Sequence, residues 1–238
     1  MSDPERVRLY LSTEHACGYL SGRAARNAYL DPEFPLDPQR YAFLLAQGFR
    51  RSGVHVYRPH CLGCQQCIAA RIPAREFAQN RNQRRCRARN SGLRFRIVPA
   101  LSDQHFKLYG RYLDARHPGG GMDGENREAF HGFLECAWNS TEFWEWRDGD
   151  RLVCVAVVDR VPGALSAVYT FFDPAESARS LGTFAVLEQV ELARSAHLEY
   201  VYLGYWVPDS VKMDYKKYFQ PLQVLTARGW KRQSAGES

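Results

Sequence analysis

The chain has 238 residues, of which 45% are hydrophobic and 24% charged, and its net charge is +6. This is the composition of a globular protein with one large domain or two modest ones, and it excludes a disordered chain. Because no run of 18 apolar residues occurs and the N-terminus lacks the apolar core of a signal peptide, we expect a soluble cytoplasmic protein.

The first sixty residues predict two short strands and one helix. Residues 6–17 alternate between apolar and polar and predict an early strand, whereas residues 19–38 are rich in Pro and turn residues and predict an irregular connection. Asp37 followed by Pro38 is typical of a helix start, and we expect that helix to end near Gly48. Residues 54–57 alternate as a strand.

Three cysteines in the run CLGCQQC form the first candidate site. Thiolates two residues apart in a Gly-bearing loop can converge on one metal ion or cluster, so zinc and an iron–sulfur cluster are both open. A fourth ligand is needed, and we favour Cys17 over His60 and Cys86. Reduced buried thiols and a redox-sensing disulfide remain alternatives. The candidate ligands are Cys17, Cys61, Cys64 and Cys67.

The segment 68–98 is strongly basic, with nine arginines and a single acid, Glu76. Arginine forks match phosphate oxygens in pairs, so this segment favours nucleic acid binding over a merely solvated charged face. Residues 79–92 within it predict a helix. The arginines are Arg71, Arg75, Arg81, Arg84, Arg85, Arg87, Arg89, Arg94 and Arg96.

From residue 93 onward the patterns predict the order β-α-α-β-β-β-α-β-α-β, a mixed α/β layer. The glycine run 119–122 is either a mobile loop over a ligand or a plain linker. The predicted elements are 93–98, 102–117, 128–138, 143–146, 152–158, 164–172, 183–196, 200–203, 210–218 and 224–230.

The strand 164–172 and the helix after it form the second candidate site. Asp173-Pro174 ends the strand, and Arg179-Ser180-Leu181-Gly182-Thr183 opens the helix, whose first N–H groups are free to bind an oxygen. A helix that merely packs on the sheet is the alternative. The element order resembles acyltransferases of the GNAT type. Their phosphate loop carries a second Gly or Ala, which is absent here, and this argues against acyl-CoA as the donor.

Several segments in a fixed order resemble the aminoacyl-tRNA–protein transferases, especially the bacterial leucyl type. The eukaryotic arginyl branch is similar but carries Cys-x-x-Cys at the first position, where Cys17 is followed here by Leu20. The segments are 17–20, 48–53, 57–59 with the three clustered cysteines, 116–118, 165–169, 172–174, 179–183, 202–206 and 213–216.

This resemblance implies transfer of leucine from leucyl-tRNA to the N-terminal α-amine of proteins beginning with Asp or Glu, which marks them for degradation. It implies an α/β (α+β) chain with two parts: an N-terminal domain, residues 1–98, with the cysteines and the arginine-rich segment, and a GNAT-like domain, residues 99–238. Arginyl transfer is the nearest alternative. A non-catalytic metal- and RNA-binding module and a small-molecule N-acyltransferase are the alternatives of other classes.

The chemistry needs no cofactor, because the ester of an aminoacyl-tRNA is already activated and an α-amine is partly neutral at pH 7. It does need a place for the oxyanion, a proton route and a cation for the acidic side chain. We expect Tyr169, Asp173 or Tyr205 to handle the proton. Substrate contacts are expected from Arg50, Arg51, Ser52, Tyr57, Arg179, Ser180, Leu181, Gly182, Thr183, Trp206 and Lys216. Contacts with tRNA are expected from Arg71, Arg81, Arg84, Arg85, Arg87 and Arg89.

Overall fold

The computed structural model describes residues 7–116 and 124–233. Near the N-terminus, four strands form an antiparallel sheet in the order β1-β4-β6-β5, and β2 and β3 pair separately. The bounds are Leu9–Leu11 (β1), His15–Ala16 (β2), Ala24–Ala25 (β3), Asn27–Leu30 (β4), Arg50–Ser52 (β5) and His55–Pro59 (β6).

A second sheet of eight strands runs through the rest of the chain, in the order β14-β13-β7-β12-β11-β10-β9-β8. Its neighbours are antiparallel except β11 and β12, so the sheet is mixed. The bounds are Ile68–Pro73 (β7), Arg94–Val98 (β8), Ser140–Asp148 (β9), Arg151–Val161 (β10), Ala164–Phe172 (β11), Tyr200–Trp206 (β12), Gln223–Thr226 (β13) and Gly229–Arg232 (β14).

Helices cover both faces of the eight-stranded sheet, whose interior strand β10 is apolar on both sides. Side chains of α2 and α5 pack on one face, and those of α3 and α4 pack on the other. Helix α1 packs with the four-stranded sheet around a third core. The bounds are Pro38–Ala46 (α1), Arg81–Arg89 (α2), Asp103–Arg116 (α3), Arg127–Leu134 (α4) and Leu181–Ser195 (α5).

Most predicted elements of the second half are confirmed in type and order. Strand β11 has the predicted bounds, and α1 begins as predicted, since the Asp37 side chain accepts a hydrogen bond from the Arg40 N–H. The element expected at 210–218 is a 3₁₀ helix, Asp214–Tyr218. A second 3₁₀ helix, Pro174–Arg179, precedes α5. The glycine run 119–122 lies outside the described residues.

The sequence analysis missed several strands: β3 and β4 in the connection 19–38, β5 where residues 49–53 were expected to form a turn, and β7. The connection 19–38 was expected to be irregular, but it contains β4, which pairs with β1 and β6. β7 lies inside the segment interpreted only as arginine-rich, and it pairs with β12 and β13 in the large sheet. The predicted domain boundary falls at the end of β8, and both β7 and β8 join strands from beyond it. The division into two domains stays a prediction.

Candidate active site

The carboxyl ends of β11 and β12 diverge, and this gap is the centre of the candidate site. The two parallel strands pair only from Ala164 opposite Tyr200 to Ser166 opposite Tyr202. Each then follows its other neighbour: β11 stays with β10, and β12 stays with β7 after register shifts in both pairs. Crevices at the carboxyl ends of parallel strands are where α/β sheets bind ligands. We call this gap the strand split.

Arg50 reaches into the strand split from β5. Its Nη2 donates to the carbonyl oxygens of Ala167 at 2.8 Å and Val168 at 3.2 Å, both on β11. Its Nη1 lies against Gly204 on β12, where an added Cβ would stand 1.7 Å from that nitrogen. Gly204 also has a φ of +77°, so glycine is required twice over. The split therefore holds a half-buried cation between its two strands.

Lys216 lies beside this cation. Its Nζ donates to the carbonyl oxygen of Tyr205 at 2.5 Å, and the residue is only 4% exposed. Burial, reinforced by the charge of Arg50, lowers the pKa of Lys216 well below its ordinary value, whereas Cys67 opposes the shift. The buried amine is held by the Tyr205 carbonyl and has almost no exposed surface to offer a substrate.

Two tyrosines line the same region. The Tyr205 hydroxyl donates to the carbonyl oxygen of Gly48 at 2.9 Å and approaches that of Tyr57 at 3.5 Å. Burial raises the pKa of both phenols, and nearby Arg50 opposes the rise. Each phenol therefore holds its proton near neutral pH and can donate a hydrogen bond rather than serve as a base. Ser52 lies on the same strand as Arg50, opposite His55.

The start of α5 lies after the end of β11. Ser180 has a left-handed backbone (φ 54°), and its side chain does not cap the helix. The Arg179 carbonyl is held by the Asn90 side chain at 2.9 Å. At Gly182 an added Cβ would stand 3.2 Å from the Phe172 ring, so this turn is packed closely. The N–H groups of residues 181–183 open the helix and have no intrahelical acceptor.

Arg179 and Asp173 are engaged within the fold. Arg179 contacts Asp148 at 2.7 Å and Glu176 at 2.9 Å, so its charge is matched by two carboxylates. Asp173 accepts from the Ala175 N–H at 3.1 Å and pairs with Arg151 at 3.2 Å. Arg179 therefore stabilises the turn before α5, and Asp173 caps the 3₁₀ helix.

Arg51 points away from its neighbour Arg50 into the interior. It forms a two-pronged ion pair with Asp159, with both contacts at 2.7 Å, and both side chains have 0% exposure. It also donates to the Gly53 carbonyl at 3.0 Å. The side chain has no exposed surface to offer a substrate.

The hydroxyl of Tyr169 and the indole nitrogen of Trp206 are buried and lack a hydrogen-bond partner among residues 7–116 and 124–233. Tyr169 packs against Tyr109 and Phe133, and burial raises the pKa of its phenol. Trp206 belongs to the core on the α2 and α5 face. The candidate proton handlers thus lie apart: Tyr205 borders the strand split, and Tyr169 lies among the aromatic rings of α3 and α4.

The four cysteines proposed as ligands are free thiols close to one another. Burial raises the pKa of Cys67 to about 12, and the charges of Cys17, Cys61 and Cys64 add to the rise. The Arg26 N–H donates to the sulfur of Cys61 at 3.5 Å. Within the described ranges, no group of three His, Cys, Asp or Glu side chains is arranged to hold a metal ion. Zinc or iron–sulfur binding stays a prediction.

The arginine-rich segment divides into exposed and engaged side chains. Arg71 is stacked on Tyr200, 3.6 Å from the ring centre, and Arg87 pairs with Glu188 at 2.8 Å. On β8, Arg94 pairs with Asp150 and Arg96 pairs with Glu145. Four arginines of α2 form an exposed basic surface, although Arg84 and Arg89 also donate to nearby carbonyls. The exposed members, which we call the α2 arginines, are Arg81, Arg84, Arg85 and Arg89.

The sequence analysis missed Gly204 and Asp159 as partners of the two neighbouring arginines. Each carried a signal. A glycine inside the apolar strand Tyr200–Trp206 often marks a place where another group approaches the backbone closely. A single aspartate near the end of the apolar run Arg151–Val161 requires a buried partner.

The eight-stranded sheet is mixed and carries helices on both faces, so the chain has a mixed α/β fold. Its sequence matches two family descriptions, "Arginine-tRNA-protein transferase, N terminus" over residues 15–85 and "Arginine-tRNA-protein transferase, C terminus" over residues 104–226. The chain therefore belongs to the arginine-tRNA-protein transferase family. The described residues contain no helix long and apolar enough to cross a membrane.

Two curated relatives are similar over nearly their whole length, and both are named aspartate/glutamate leucyltransferase. The one from Thiobacillus denitrificans is 47% identical over 227 residues, 95% of each chain. The one from Stenotrophomonas maltophilia is 50% identical over 233 residues, 95% of this chain and 93% of its own. Among solved structures, L-PGS from Bacillus licheniformis has a TM-score of 0.45 at 11% identity, covering 72% of this chain and 51% of its own.

Proposed function

We propose that this protein transfers leucine from leucyl-tRNA to the N-terminal α-amine of proteins that begin with Asp or Glu. The observation that carries the proposal is the similarity, at 47–50% identity over 95% of the chain, to proteins named aspartate/glutamate leucyltransferase. Since charged tRNA is found where translation takes place, we infer a cytoplasmic location. The added leucine would mark the substrate for degradation.

The reaction exchanges an ester for an amide. The α-amine nitrogen attacks the carbonyl carbon of the aminoacyl ester, the bond to the ribose oxygen breaks, and the amine proton balances the released ribose hydroxyl. Because the ester is activated, holding the two substrates in register supplies a large part of the rate. A covalent intermediate on the enzyme is unnecessary.

Arg50 is our choice for the cation that recognises the acidic side chain. Arg51 is buried against Asp159, and Arg179 is matched by Asp148 and Glu176. Lys216 is buried with a lowered pKa. Arg50 lies in the strand split, is half-buried rather than fully buried, and has no carboxylate partner in the described part of the chain; its two acceptors are neutral carbonyls.

The opening of α5 is suited to an oxyanion or to the terminal phosphate of the tRNA, because its N–H groups are free of intrahelical acceptors. Tyr205 borders the strand split, but its hydroxyl proton is donated to the Gly48 carbonyl oxygen, so this residue orders the wall of the site. Of the three candidate proton handlers, Tyr169 has a hydroxyl without a partner among the described residues, whereas Asp173 is paired with Arg151. The α2 arginines would contact the phosphate backbone of the tRNA.

Three alternatives fit less well. An arginyl donor would place a second cation next to Arg50, and the two like charges would repel each other. The charge of Arg50 therefore favours an apolar aminoacyl group. An acyl-CoA donor would need the missing second Gly after Gly182. A non-catalytic metal- and RNA-binding module would have no use for a cation held between diverging strands.

One assay tests the proposal. The protein is incubated with leucyl-tRNA and a peptide beginning with Asp, and the peptide is analysed by mass for an added leucine. Parallel reactions use arginyl-tRNA, acetyl-CoA and a peptide beginning with Ala. We expect leucine only on the acidic peptide; transfer of arginine or an acetyl group instead would reject the leucyl assignment.

The role of Arg50 is tested with matched peptides beginning with Asp and Asn. Wild type is expected to prefer Asp, and Arg50→Gln is expected to lose at least tenfold of that preference in kcat/KM, because a buried charge contact is removed. Arg58→Gln is the control, since Arg58 is an exposed arginine on the neighbouring strand β6. An unchanged Asp preference in Arg50→Gln would assign the carboxylate to another cation.

A further inference from the structure

Three tyrosines stand in one row across the four-stranded sheet. Tyr10 on β1 is opposite Tyr29 on β4, and Tyr29 is opposite Tyr57 on β6. Tyr57 is in turn opposite Arg50 on β5. Residues directly opposite each other in antiparallel strands share a face of the sheet. We call Tyr10, Tyr29 and Tyr57 the tyrosine row; it leads to the arginine that enters the strand split.

Two rings of the row are in contact, and the row is partly open. The Tyr29 and Tyr57 ring centres are 5.6 Å apart and tilted by 35°, and His55 meets Tyr29 edge-on at 6.5 Å. Tyr10 is 53% exposed, and Tyr29 and Tyr57 are half-buried. Exposed aromatic rings on the face of a small sheet are a surface on which unpaired bases stack.

The charge of this sheet complements a polyanion. Its four strands contain three arginines and no Asp or Glu. Arg51 is neutralised by Asp159, and Arg58, which directly follows Tyr57 on β6, lies on the opposite face, so Arg50 is the cation in line with the tyrosine row. Aromatic faces interleaved with arginine and free of carboxylates favour single-stranded nucleic acid.

We propose that the tyrosine row binds the unpaired 3′ nucleotides of the donor tRNA by stacking, with the ester end directed toward Arg50 and the strand split. The inference rests on the proposed function, since it requires a tRNA donor. Neighbouring strands are about 4.8 Å apart, so the row spans about 10 Å. Bases stacked at about 3.4 Å intervals place two or three nucleotides on that length.

The protein substrate is a less suitable occupant. Different protein substrates have only their first residue in common. Beyond that residue, a fixed row of rings would meet no side chain that all substrates share. The unpaired 3′ end is common to every donor tRNA. The row is also distinct from the α2 arginines, which are suited to the phosphates of the paired stem.

The test measures binding of two uncharged RNA hairpins by the full chain, using fluorescence anisotropy at one salt concentration. Both hairpins have the same acceptor stem, and only one carries the unpaired 3′ tail. We expect wild type to bind the tailed hairpin about tenfold more tightly than the blunt one. Tyr10→Ala should reduce that ratio several-fold, and Tyr10→Trp should retain it because the stacking surface is kept.

Phe43→Ala is the matched control, because Phe43 is a 64% exposed aromatic on α1 outside the row. It should leave the ratio unchanged. Equal binding of the two hairpins by a wild-type protein that still transfers leucine would overturn the proposed role of the tyrosine row. It would leave the proposed function intact. Weaker binding of an Asp-starting peptide by Tyr10→Ala, with hairpin discrimination unaltered, would also overturn it by assigning the row to the protein substrate.

Discussion

Arg51 on β5 and Asp159 on β10 join the four-stranded sheet to the eight-stranded sheet. Their side chains are fully buried, two nitrogens of the guanidinium contact the two carboxylate oxygens at 2.7 Å, and Thr141 donates to the same carboxylate at 2.8 Å. Arg50, one residue earlier, turns instead into the strand split. Two adjacent arginines therefore have separate roles, one in holding the parts of the chain together and one in the candidate site.

The first prediction concerns this ion pair. Arg51→Gln or Asp159→Asn leaves a buried charge without its counterpart, so we expect the free energy of unfolding to fall by about 3–5 kcal/mol. Urea denaturation measures it. Replacing both residues with apolar ones, as in Arg51→Met with Asp159→Leu, should recover much of the loss. An unchanged unfolding midpoint in Arg51→Gln would contradict the structural role.

The second prediction concerns Gly204. In Gly204→Ala the new Cβ meets the Arg50 guanidinium, so we expect the arginine to leave the strand split and leucyl transfer to fall at least tenfold. The positive φ adds a backbone cost of about 1–3 kcal/mol to folding.

Gly163→Ala separates these two effects. Gly163 has a similar φ of +76°, but an added Cβ there meets nothing within 4 Å. It should lose comparable stability and keep its transfer activity. Equal activity losses in the two variants would show that backbone strain, and not the position of Arg50, causes the effect.

Local signals were enough to predict much of the fold. The Asp37 and Pro38 pair fixed the start of α1, and the β-branched and aromatic run of β11 gave its bounds, because capping and strand preference act within a few residues. β7 was missed because its Arg71 was counted as part of the arginine-rich segment, and because its partners β12 and β13 lie far away in the chain.

The candidate site was predictable only as a set of residues. Arg50 was one of four candidate cations, and nothing local distinguished it from Arg51 or Arg179. These cations differ in their contacts with distant segments. An example is the hydrogen bond from Arg50 to the carbonyl oxygen of Ala167, which lies 117 positions later. The tyrosine row likewise depends on the register of three strands, which no single segment encodes.

The third prediction concerns the pH dependence of stability. The pKa of Lys216 is lowered in the fold by burial and by Arg50, whereas an unfolded lysine titrates near 10.4. Between these two values the unfolded chain binds more protons than the native one, so the free energy of unfolding rises as pH increases through that window. Lys216→Met removes this contribution and should flatten the slope by about 1.4 kcal/mol per pH unit within the window.

The control for that slope is Lys212→Met, because Lys212 is exposed. It should leave the slope as in wild type. The absolute stability of Lys216→Met is a weaker readout, since the variant also loses the hydrogen bond to Tyr205, worth about 1 kcal/mol. Identical slopes for wild type and Lys216→Met would mean that Lys216 keeps an ordinary pKa in the fold.

The fourth prediction concerns the α2 arginines. Arg84 and Arg85 are exposed on α2, where phosphate contacts release counterions and make affinity fall steeply with salt. Arg84→Gln with Arg85→Gln should weaken tRNA binding and lower the slope of log affinity against log salt by about 2, one unit for each lost contact. A filter-binding titration at several salt concentrations measures both. Lys107→Gln with Arg228→Gln removes two exposed charges elsewhere and should leave the slope unchanged. If both pairs reduce the slope equally, tRNA responds to net charge alone and α2 is not its contact surface.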